Sequence, residues 1–405
     1  MMRIRQVAIL GLMALATGCA TTHVVKQNVT RVIKGQPMDN SGYRQAVASD
    51  TKTVEAQLAT LRQKFAQEVT TLRAKAEKRW GKGARVADRT VYVKYSQGYN
   101  SRVITDFDRG LLTVETRDTK DPKASLRSAI IAALLTGNDP ASVDLFSDKE
   151  VALDPAHRPY LYGLIHDNQG NSIATRKQAE DYAQFLMASR AKSRPIPAAE
   201  GGGIAWFVSL TMVKNFEARG AERYRASVEK YSARYHVSPS LVFAIMRTES
   251  NFNPFAVSPA PAYGLMQLVP TSGGRAAQRR VSGADETPTS ESLLDPDHNI
   301  ELGVAYLSVL GSDEFNAVTN ENSRDYCVIA AYNTGPHNVT RVFASDRTAA
   351  FSAINGEQPA ELFERLRTGL PMQETRDYVV KVTGHRKEFV TAPGASAAPA
   401  TKPTA

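Results

Sequence analysis

The spacing of apolar positions along the 405-residue chain changes several times and separates segments of different structure. After a polar stretch, apolar side chains recur every three or four residues, which places them on one face of a long helix. The stripe comprises Val54, Leu58, Leu61, Phe65, Val69, Leu72, Ala76 and Trp80. Gly81 and Gly83 follow and predict its end. We expect this helix to pack on the domain that follows it; a helix that binds a partner or lies on a membrane is the alternative.

A period of two replaces the helical spacing after residue 86 and predicts a meander of short strands up to residue 117. Asp121 and Pro122 then open a helix, and residues 159–175 are predicted to form a hairpin. A further helix and an apolar strand complete the pattern. It predicts an α+β N-terminal domain over residues 44–215, led by the long amphipathic helix. With no catalytic constellation in its sequence, this domain is interpreted as a substrate-positioning or docking module.

The second half of the chain is almost wholly helical in its spacing and predicts a mainly α domain over residues 216–390. Ser238 is a good N-cap, with Pro239 at the first helical position. The helix that they begin carries Glu249 on its last turn. The tail over 391–405 is rich in alanine, proline and threonine, which predicts disorder.

Composition supports a folded protein of two domains. The apolar fraction of 42% excludes a disordered chain, and the length exceeds what one compact core usually holds. The net charge of +9 favours acidic partners, without choosing among nucleic acid, anionic lipid and an acidic polymer. The histidines show no metal-ligand spacing, so we predict no metal.

The N-terminus has the parts of a secretory signal peptide: two arginines, an apolar stretch over residues 7–16 and small residues before Cys19. The apolar stretch is too short to span a membrane. The cysteine directly after residues 1–18 resembles a bacterial lipoprotein signal, in which it becomes the acylated first residue of the mature chain. An ordinary signal peptide with a chance cysteine is the alternative. Residues 19–43 are then predicted to be a lipid-anchored tether.

Three further consequences follow from this assignment. The mature chain loses Arg3 and Arg5, which leaves a net charge of 9 − 2 = +7. Cys327 becomes the single thiol, and its apolar surroundings favour a small buried residue over a nucleophile. Ala20, in place of aspartate after the cysteine, resembles outer-membrane lipoproteins and predicts the periplasmic face of the outer membrane.

Glu249 is the strongest candidate for chemistry because it ends an apolar helix just before a turn-rich loop. Burial disfavours the charged form of a carboxyl, and so does the negative end of the helix dipole, so we expect its pKa to be raised. A carboxyl that is protonated near neutral pH can donate a proton to a leaving oxygen, as glycosidic bond cleavage requires. Gln267, in a glycine-led apolar segment, can donate hydrogen bonds to a sugar and accept them.

Three motifs make a family recognisable. Glu249-Ser250, the segment from Gly264 to Gln267, and Ala331-Tyr332-Asn333, in this order, resemble the lysozyme-like domain of soluble-type lytic transglycosylases. Tyr378 follows them on a predicted helix. The lipoprotein signal, the long helix and the α+β region resemble membrane-bound members of the same family. Thr334 and His337 depart from the small residues common there, which concerns loop shape more than chemistry.

The resemblance implies a lysozyme-like fold for the helical domain and a single catalytic acid, Glu249. The family cuts the β-1,4 bond between N-acetylmuramic acid and N-acetylglucosamine, leaving 1,6-anhydromuramyl ends without consuming water. Tyr378 would position the acid, and the resemblance implies that no cofactor is needed. The implied partners are peptidoglycan glycan strands, the membrane through the lipid anchor, and complexes with other cell-wall enzymes. The implied substrate-binding residues are Ser250, Ser258, Met266, Gln267, Tyr332 and Asn333.

Other interpretations stay open. A hydrolytic muramidase similar to goose-type lysozymes would need a second acid, such as Asp295 or Asp297. A murein-binding lipoprotein without activity is the third hypothesis, and an intact Glu249 argues against it. The alternative for the site residues is a structural role: Met266 and Leu265 in the core, Asn333 as a helix cap, and Tyr332 and Tyr378 as packing residues. No nucleic-acid partner is predicted, because the export signal disfavours one.

Overall fold

The computed structural model describes residues 40–259 and 261–390, with the backbone alone at 40–51, 54 and 55. The predicted signal peptide, Cys19, most of the tether and the tail over 391–405 lie outside the described residues. The described chain forms two compact units. The first runs up to Glu222 and includes Glu249–Tyr306; the second comprises Arg223–Thr248 and the residues from Leu307 onward. The domain boundary expected between residues 215 and 216 stays a prediction.

The first unit is built on a five-stranded antiparallel sheet in the order β1-β2-β3-β5-β4. The three strands of the predicted meander are confirmed as hairpin neighbours, with Val93 opposite Ile104 and Val103 opposite Val114. The turn between β1 and β2 has a left-handed backbone at Gln97, Gly98 and Tyr99. The strands are β1 (Val91–Ser96), β2 (Ser101–Asp106), β3 (Leu111–Thr116), β4 (Lys192–Pro195) and β5 (Ile204–Thr211).

Helix α1 (Asn40–Trp80) packs on this sheet, and a 3-10 turn at Gly81–Gly83 follows it, as the glycines predict. Its C-terminal apolar residues join a buried cluster with side chains of β1, β2 and their turn. The packing on its own domain is therefore confirmed over this part of the helix. The cluster contains Leu72, Ala76, Trp80, Val93, Tyr95, Tyr99 and Ile104.

Two further helices cover the sheet. Helix α2 (Pro122–Leu135) contacts β2, β3 and β5, and helix α3 (Arg176–Ser189) packs on α2. Asp121 caps α2 by accepting a hydrogen bond from the backbone of Ala124, 3.0 Å away. Thr175 and Gln178 form a capping box on α3.

The hairpin predicted over residues 159–175 is wrong. This segment consists of turns with isolated bridges, such as His166 opposite Ser172. Leu164 and Ile165 are adjacent in sequence and both buried, whereas successive side chains of a strand point to opposite faces. Leu164 and Ile165 are held in the core, and pairing is confined to the turn, where His166 lies opposite Ser172 and the backbone of Asp167 donates to the carbonyl of Asn171 at 2.9 Å.

The rest of the chain is helical, so an α+β region followed by a mainly α region is confirmed. Among the described residues, no helix combines the length and apolar character needed to cross a membrane. The helices are α4 (Phe216–Arg223), α5 (Arg225–Tyr235), α6 (Pro239–Ser250), α7 (Arg275–Ser282), α8 (Ser290–Leu294), α9 (Pro296–Val309), α10 (Glu321–Thr334), α11 (Pro336–Thr340), α12 (Arg347–Gly356), α13 (Pro359–Gly369) and α14 (Gln373–Arg386).

In the second unit, α10 is the central helix. It contacts α11, α13 and α14. Its buried face includes Cys327, Ile329 and Ala331, so the interpretation of Cys327 as a buried residue is confirmed. Burial raises the pKa of the Cys327 thiol to about 12.

Candidate active site

Glu249 lies on the last turn of α6 and is only 6% exposed. Its surroundings therefore provide the desolvation that the sequence predicted. They also provide a cation: Nη1 of Arg89 lies 3.7 Å from Oε2 of Glu249. Burial favours the neutral carboxyl, whereas a nearby guanidinium favours the carboxylate. The sequence contains no local signal for this pair, because 160 residues separate its members.

The loop that follows Glu249 is held by the sheet region. Asn251 and Phe252 have left-handed backbones, with φ of 44° and 62°. The Asn251 side-chain amide donates to the carbonyl of Phe107 at 2.8 Å. The Asn253 amide donates to the carbonyl of Arg89 at 3.1 Å. Both backbone acceptors lie beside strands of the N-terminal sheet, so this loop takes its shape from contacts distant in sequence.

Phe255 anchors the same loop in an aromatic cluster. Its ring stacks on Tyr92, with centroids 4.4 Å apart, and meets Tyr160 edge-on at 5.2 Å. All three side chains are fully buried. The Tyr160 hydroxyl shares a hydrogen bond of 2.8 Å with Thr105. Burial raises the pKa of Tyr92 and of Tyr160, so both rings remain neutral.

The glycine-led segment is fixed by Asn299 of α9. The Asn299 side chain accepts from the backbone of Met266 at 2.8 Å and donates to the carbonyls of Tyr263 and Leu293. Gly264 has a φ of +74°, and a Cβ there would lie 2.4 Å from the carbonyl oxygen of Leu293. A side chain at this position would therefore clash with backbone as well as being strained.

The predicted site residues of the first unit fall into two groups. The Ser250 hydroxyl donates to the carbonyl of Leu265 at 2.8 Å, and Met266 is fully buried. These two side chains thus contribute to the internal structure of the unit. Gln267 donates to the carbonyls of Ala256 and Gly264, and its Oε1 has no hydrogen-bond partner in the described protein. Ser258 is largely buried, at 9% exposed.

Tyr263 adds a polar side chain whose charge state is set by its surroundings. Burial first, and then the nearby carboxylates of Glu68 and Glu291, raise the pKa of Tyr263 to about 12. Its hydroxyl therefore keeps its proton at physiological pH. Glu68 belongs to α1 and Glu291 to α8.

The predicted residues of the second unit lie on α10 and α14. Oδ1 of Asn333 accepts a hydrogen bond of 2.7 Å from the hydroxyl of Thr375, which links the two helices. Tyr332 is half-buried and Tyr378 is buried. Thr334, which stands where the family commonly has a small residue, has a local structural role: its carbonyl and its hydroxyl both accept hydrogen bonds from the Asn338 amide. His337 is exposed.

The described residues hold no candidate metal site, and Asp295 has a capping contact. No group of three or more histidine, cysteine, aspartate or glutamate side chains among them could hold a metal ion. Asp295, one candidate for a second acid, caps α9 by accepting from the backbone of His298 at 2.7 Å. Sequence reasoning did not identify Arg89 or the sheet contacts of Asn251 and Asn253 as parts of the site.

Two family models match this chain in succession. The model described as the N-terminal domain of membrane-bound lytic murein transglycosylase C matches residues 56–223. The model described as the transglycosylase SLT domain matches residues 226–355.

Relatives of known name agree with these matches. The chain is 41% identical over 298 residues to membrane-bound lytic murein transglycosylase C of Serratia proteamaculans, covering 74% of this chain and 82% of the relative. It is 40% identical over 311 residues to the protein of that name from Yersinia enterocolitica, covering 76% and 85%.

Two solved structures are also similar in part. Lytic transglycosylase Slt from Pseudomonas aeruginosa, an inactive mutant, is 32% identical with a TM-score of 0.31. The 70 kDa soluble lytic transglycosylase from Escherichia coli is 28% identical with a TM-score of 0.32. Each match covers 40% of this chain and 23% of the other.

Proposed function

Because this chain belongs to the family of membrane-bound lytic murein transglycosylase C, we propose that it leaves 1,6-anhydromuramyl ends on the peptidoglycan it cleaves. As a member of that family it is a lytic murein transglycosylase, a lyase that acts on peptidoglycan. The finer proposal is that the scissile bond is the β-1,4 bond between N-acetylmuramic acid and N-acetylglucosamine, and that Glu249 alone supplies the acid and the base.

In the proposed reaction, Glu249 first donates its proton to the bridging oxygen. The bond between this oxygen and C1 of the muramyl residue breaks, and the electron pair leaves with the oxygen. The C6 hydroxyl of the same residue then attacks C1, and the Glu249 carboxylate accepts the hydroxyl proton. The acid is thereby regenerated and no water is consumed. An attacking hydroxyl within the substrate has a large effective concentration compared with a diffusing water molecule.

The burial of Glu249 is the observation that carries this proposal. A carboxyl that is 6% exposed at the end of a helix suits proton donation better than a solvated surface glutamate does. A hydrolytic muramidase would use a second carboxylate to direct water, and the capping contact of Asp295 speaks against that residue. The assignments of Tyr378, Tyr332 and Asn333 to the reaction rest on the family resemblance alone.

The products of digestion test the proposal. Purified murein sacculi are incubated with the protein, and the muropeptides are weighed by mass spectrometry. We expect products lighter by one water than those of a muramidase, and reducing ends would contradict the transglycosylase mechanism. Glu249→Gln should bind murein and release no products, because an amide neither donates this proton nor accepts one. Undiminished release by this variant would place the acid elsewhere.

We further propose that acylated Cys19 anchors the protein to the periplasmic face of the outer membrane. This rests on the lipoprotein pattern of the sequence and on the membrane-bound name of the relatives. Replacing the cysteine, as Cys19→Ala, should prevent incorporation of labelled palmitate and move the protein from the membrane fraction to the soluble fraction. Palmitate incorporation that survives this change would contradict the anchor.

A further inference from the structure

The segment before β1 brings Arg89 to Glu249 in a fixed conformation. On its N-terminal side, Oδ1 of Asp88 accepts from the backbones of Thr90 and Val91 at 2.9 and 2.8 Å. On its C-terminal side, the carbonyl of Thr90 accepts from the backbone of Phe107 at 2.9 Å. The Thr90 hydroxyl donates to Asp108. The backbone on both sides of Arg89 is therefore held to the sheet.

The loop after Glu249 holds the same segment from the other direction. The Asn253 amide donates to the carbonyl of Arg89 itself, at 3.1 Å. Asn251 donates to Phe107 and to Asp108. The chain that follows the carboxylate and the chain that carries the guanidinium are thus tied together by several hydrogen bonds. The ion pair between Arg89 and Glu249 is one contact within a preorganised arrangement.

We propose that Arg89, a residue of the N-terminal α+β region, is a positioning residue that stabilises the carboxylate form of Glu249 during turnover. This inference rests on the proposed function of Glu249. When the acid gives its proton to the leaving oxygen, a negative charge develops at Glu249. A guanidinium 3.7 Å away interacts with this charge more strongly than with the neutral acid, and such a difference between states lowers the barrier.

The geometry suits this task in two respects. A separation of 3.7 Å exceeds an ordinary N–H···O distance, so Arg89 acts through its charge and does not have to move when the carboxyl gains or loses its proton. Exposed ion pairs contribute little, in part because two mobile side chains must be ordered. Here the Arg89 side chain is 43% exposed, but its partner Glu249 is buried and the backbone of Arg89 is held by hydrogen bonds. Asp88 and Asp108, two other charged side chains near Arg89, are engaged as hydrogen-bond acceptors.

The test compares Arg89→Ala and Arg89→Lys with a matched control, Arg176→Ala. Arg176 also belongs to the α+β region and pairs with Glu180, but that pair lies on the exposed surface of α3. The substrates are glycan strands freed of stem peptides by an amidase and intact sacculi with their peptides. We expect Arg89→Ala to lower kcat about tenfold on both substrates. KM should be unchanged, Arg89→Lys should recover most of the rate, and Arg176→Ala should behave as the parent protein.

Three results would overturn the inference. An unchanged kcat in Arg89→Ala would make the pair a surface contact only. A rise in KM confined to the peptide-bearing substrate would make Arg89 a ligand for the acidic groups of the stem peptide. If kcat of Arg89→Ala falls together with its melting temperature, and Arg89→Lys recovers neither, the role of Arg89 is structural. Glu249→Gln is assayed in parallel. If that variant is active, the proposed function of Glu249 fails together with the inference on Arg89. If it is inactive, the proposed function stands and only the inference on Arg89 fails.

Discussion

At the scale of single residues, Glu249 is subject to opposing influences within the unit that contains it. Its burial favours the neutral carboxyl, which the first proton transfer of the proposed mechanism requires, and Arg89 favours the carboxylate, which the proposed second transfer requires. A group that acts as acid and then as base must be able to take both forms. We expect residues that hold the loop after Glu249, above all Phe255, to affect both the stability of the protein and the rate of the reaction.

Replacing Phe255 by alanine should destabilise the protein by about 3–5 kcal/mol, because a buried ring between Tyr92 and Tyr160 is lost and a cavity remains. Activity should fall as well, since the loop after Glu249 loses its anchor. Urea unfolding and murein digestion measure the two effects. Phe185→Ala is the matched control: its ring also stacks on a tyrosine, Tyr182, but is only partly buried. Equal losses of stability in the two variants would contradict the anchoring role of Phe255.

Cys327 should be inert towards thiol reagents while the protein is folded. A protein that starts after Cys19 has Cys327 as its sole cysteine, and burial raises its pKa to about 12. Because the thiolate is the reactive form, labelling at pH 8 should require a denaturant. The raised pKa also makes the free energy of unfolding depend on pH. The stabilisation from burying the neutral thiol is complete below the unfolded pKa of about 8.5, and it is lost as pH rises towards 12. Rapid labelling of the native protein would contradict this burial.

At the scale of elements, Glu115 joins α1 and three strands through buried charges. Its Oε1 accepts from Arg102 of β2, and its Oε2 accepts from Arg194 of β4, both at 2.8 Å. Arg102 in turn lies 3.8 Å from the ring centroid of Trp80 and donates to the carbonyl of Gly83. The end of α1 is thereby fixed to the sheet by polar contacts as well as by the apolar cluster.

Glu115→Gln should therefore cost about 3–5 kcal/mol, because it removes one partner of a buried ion pair and leaves the Arg102 charge uncompensated. Glu180→Gln, which removes the acid of an exposed pair on α3, should change stability by less than about 1 kcal/mol. Both are measured by urea unfolding. Replacing Arg102 and Glu115 together by apolar residues of similar volume should recover part of the loss, and failure to do so would indicate that the network has a further role.

At the scale of the whole molecule, the α+β region and the loop of the acid belong to one compact unit. The interpretation of that region as a substrate-positioning or docking module stays a prediction. The contacts of Asn251, Asn253 and Phe255 hold the loop after Glu249 to that region. These contacts position the protein's own acid; a contact with the substrate stays a prediction.

An isolated segment over residues 216–390 should be less stable and inactive, whereas residues 44–390 should be active. The shorter segment exposes Phe255 and leaves Asn251 and Asn253 without their backbone acceptors at Phe107 and Arg89. Circular dichroism melting and murein digestion compare the two proteins. Full activity of the shorter segment would show that the helical region positions Glu249 by itself, and would also contradict the inference on Arg89.

The fold class, the strand meander, the start of α2 at Asp121 and the position of Glu249 on a helix end were all predicted from the sequence. Each depends on residues close in the chain, where hydrophobic periodicity, glycine and proline act locally. The match to the SLT domain supports the lysozyme-like expectation for the helical region. The hairpin over residues 159–175 failed because burial in the core overrode a pattern that looked local.

The sequence by itself indicated most of the elements and the candidate acid, because apolar spacing and a lone carboxylate in an apolar helix are visible within a few residues. Only the tertiary structure decided what surrounds that acid. Arg89 and Phe107 meet the loop of Glu249 across more than 140 positions of sequence, and no local periodicity records such a contact. A charge pair and a backbone hydrogen bond depend on which surfaces fold against each other, and that is fixed by packing of the complete unit.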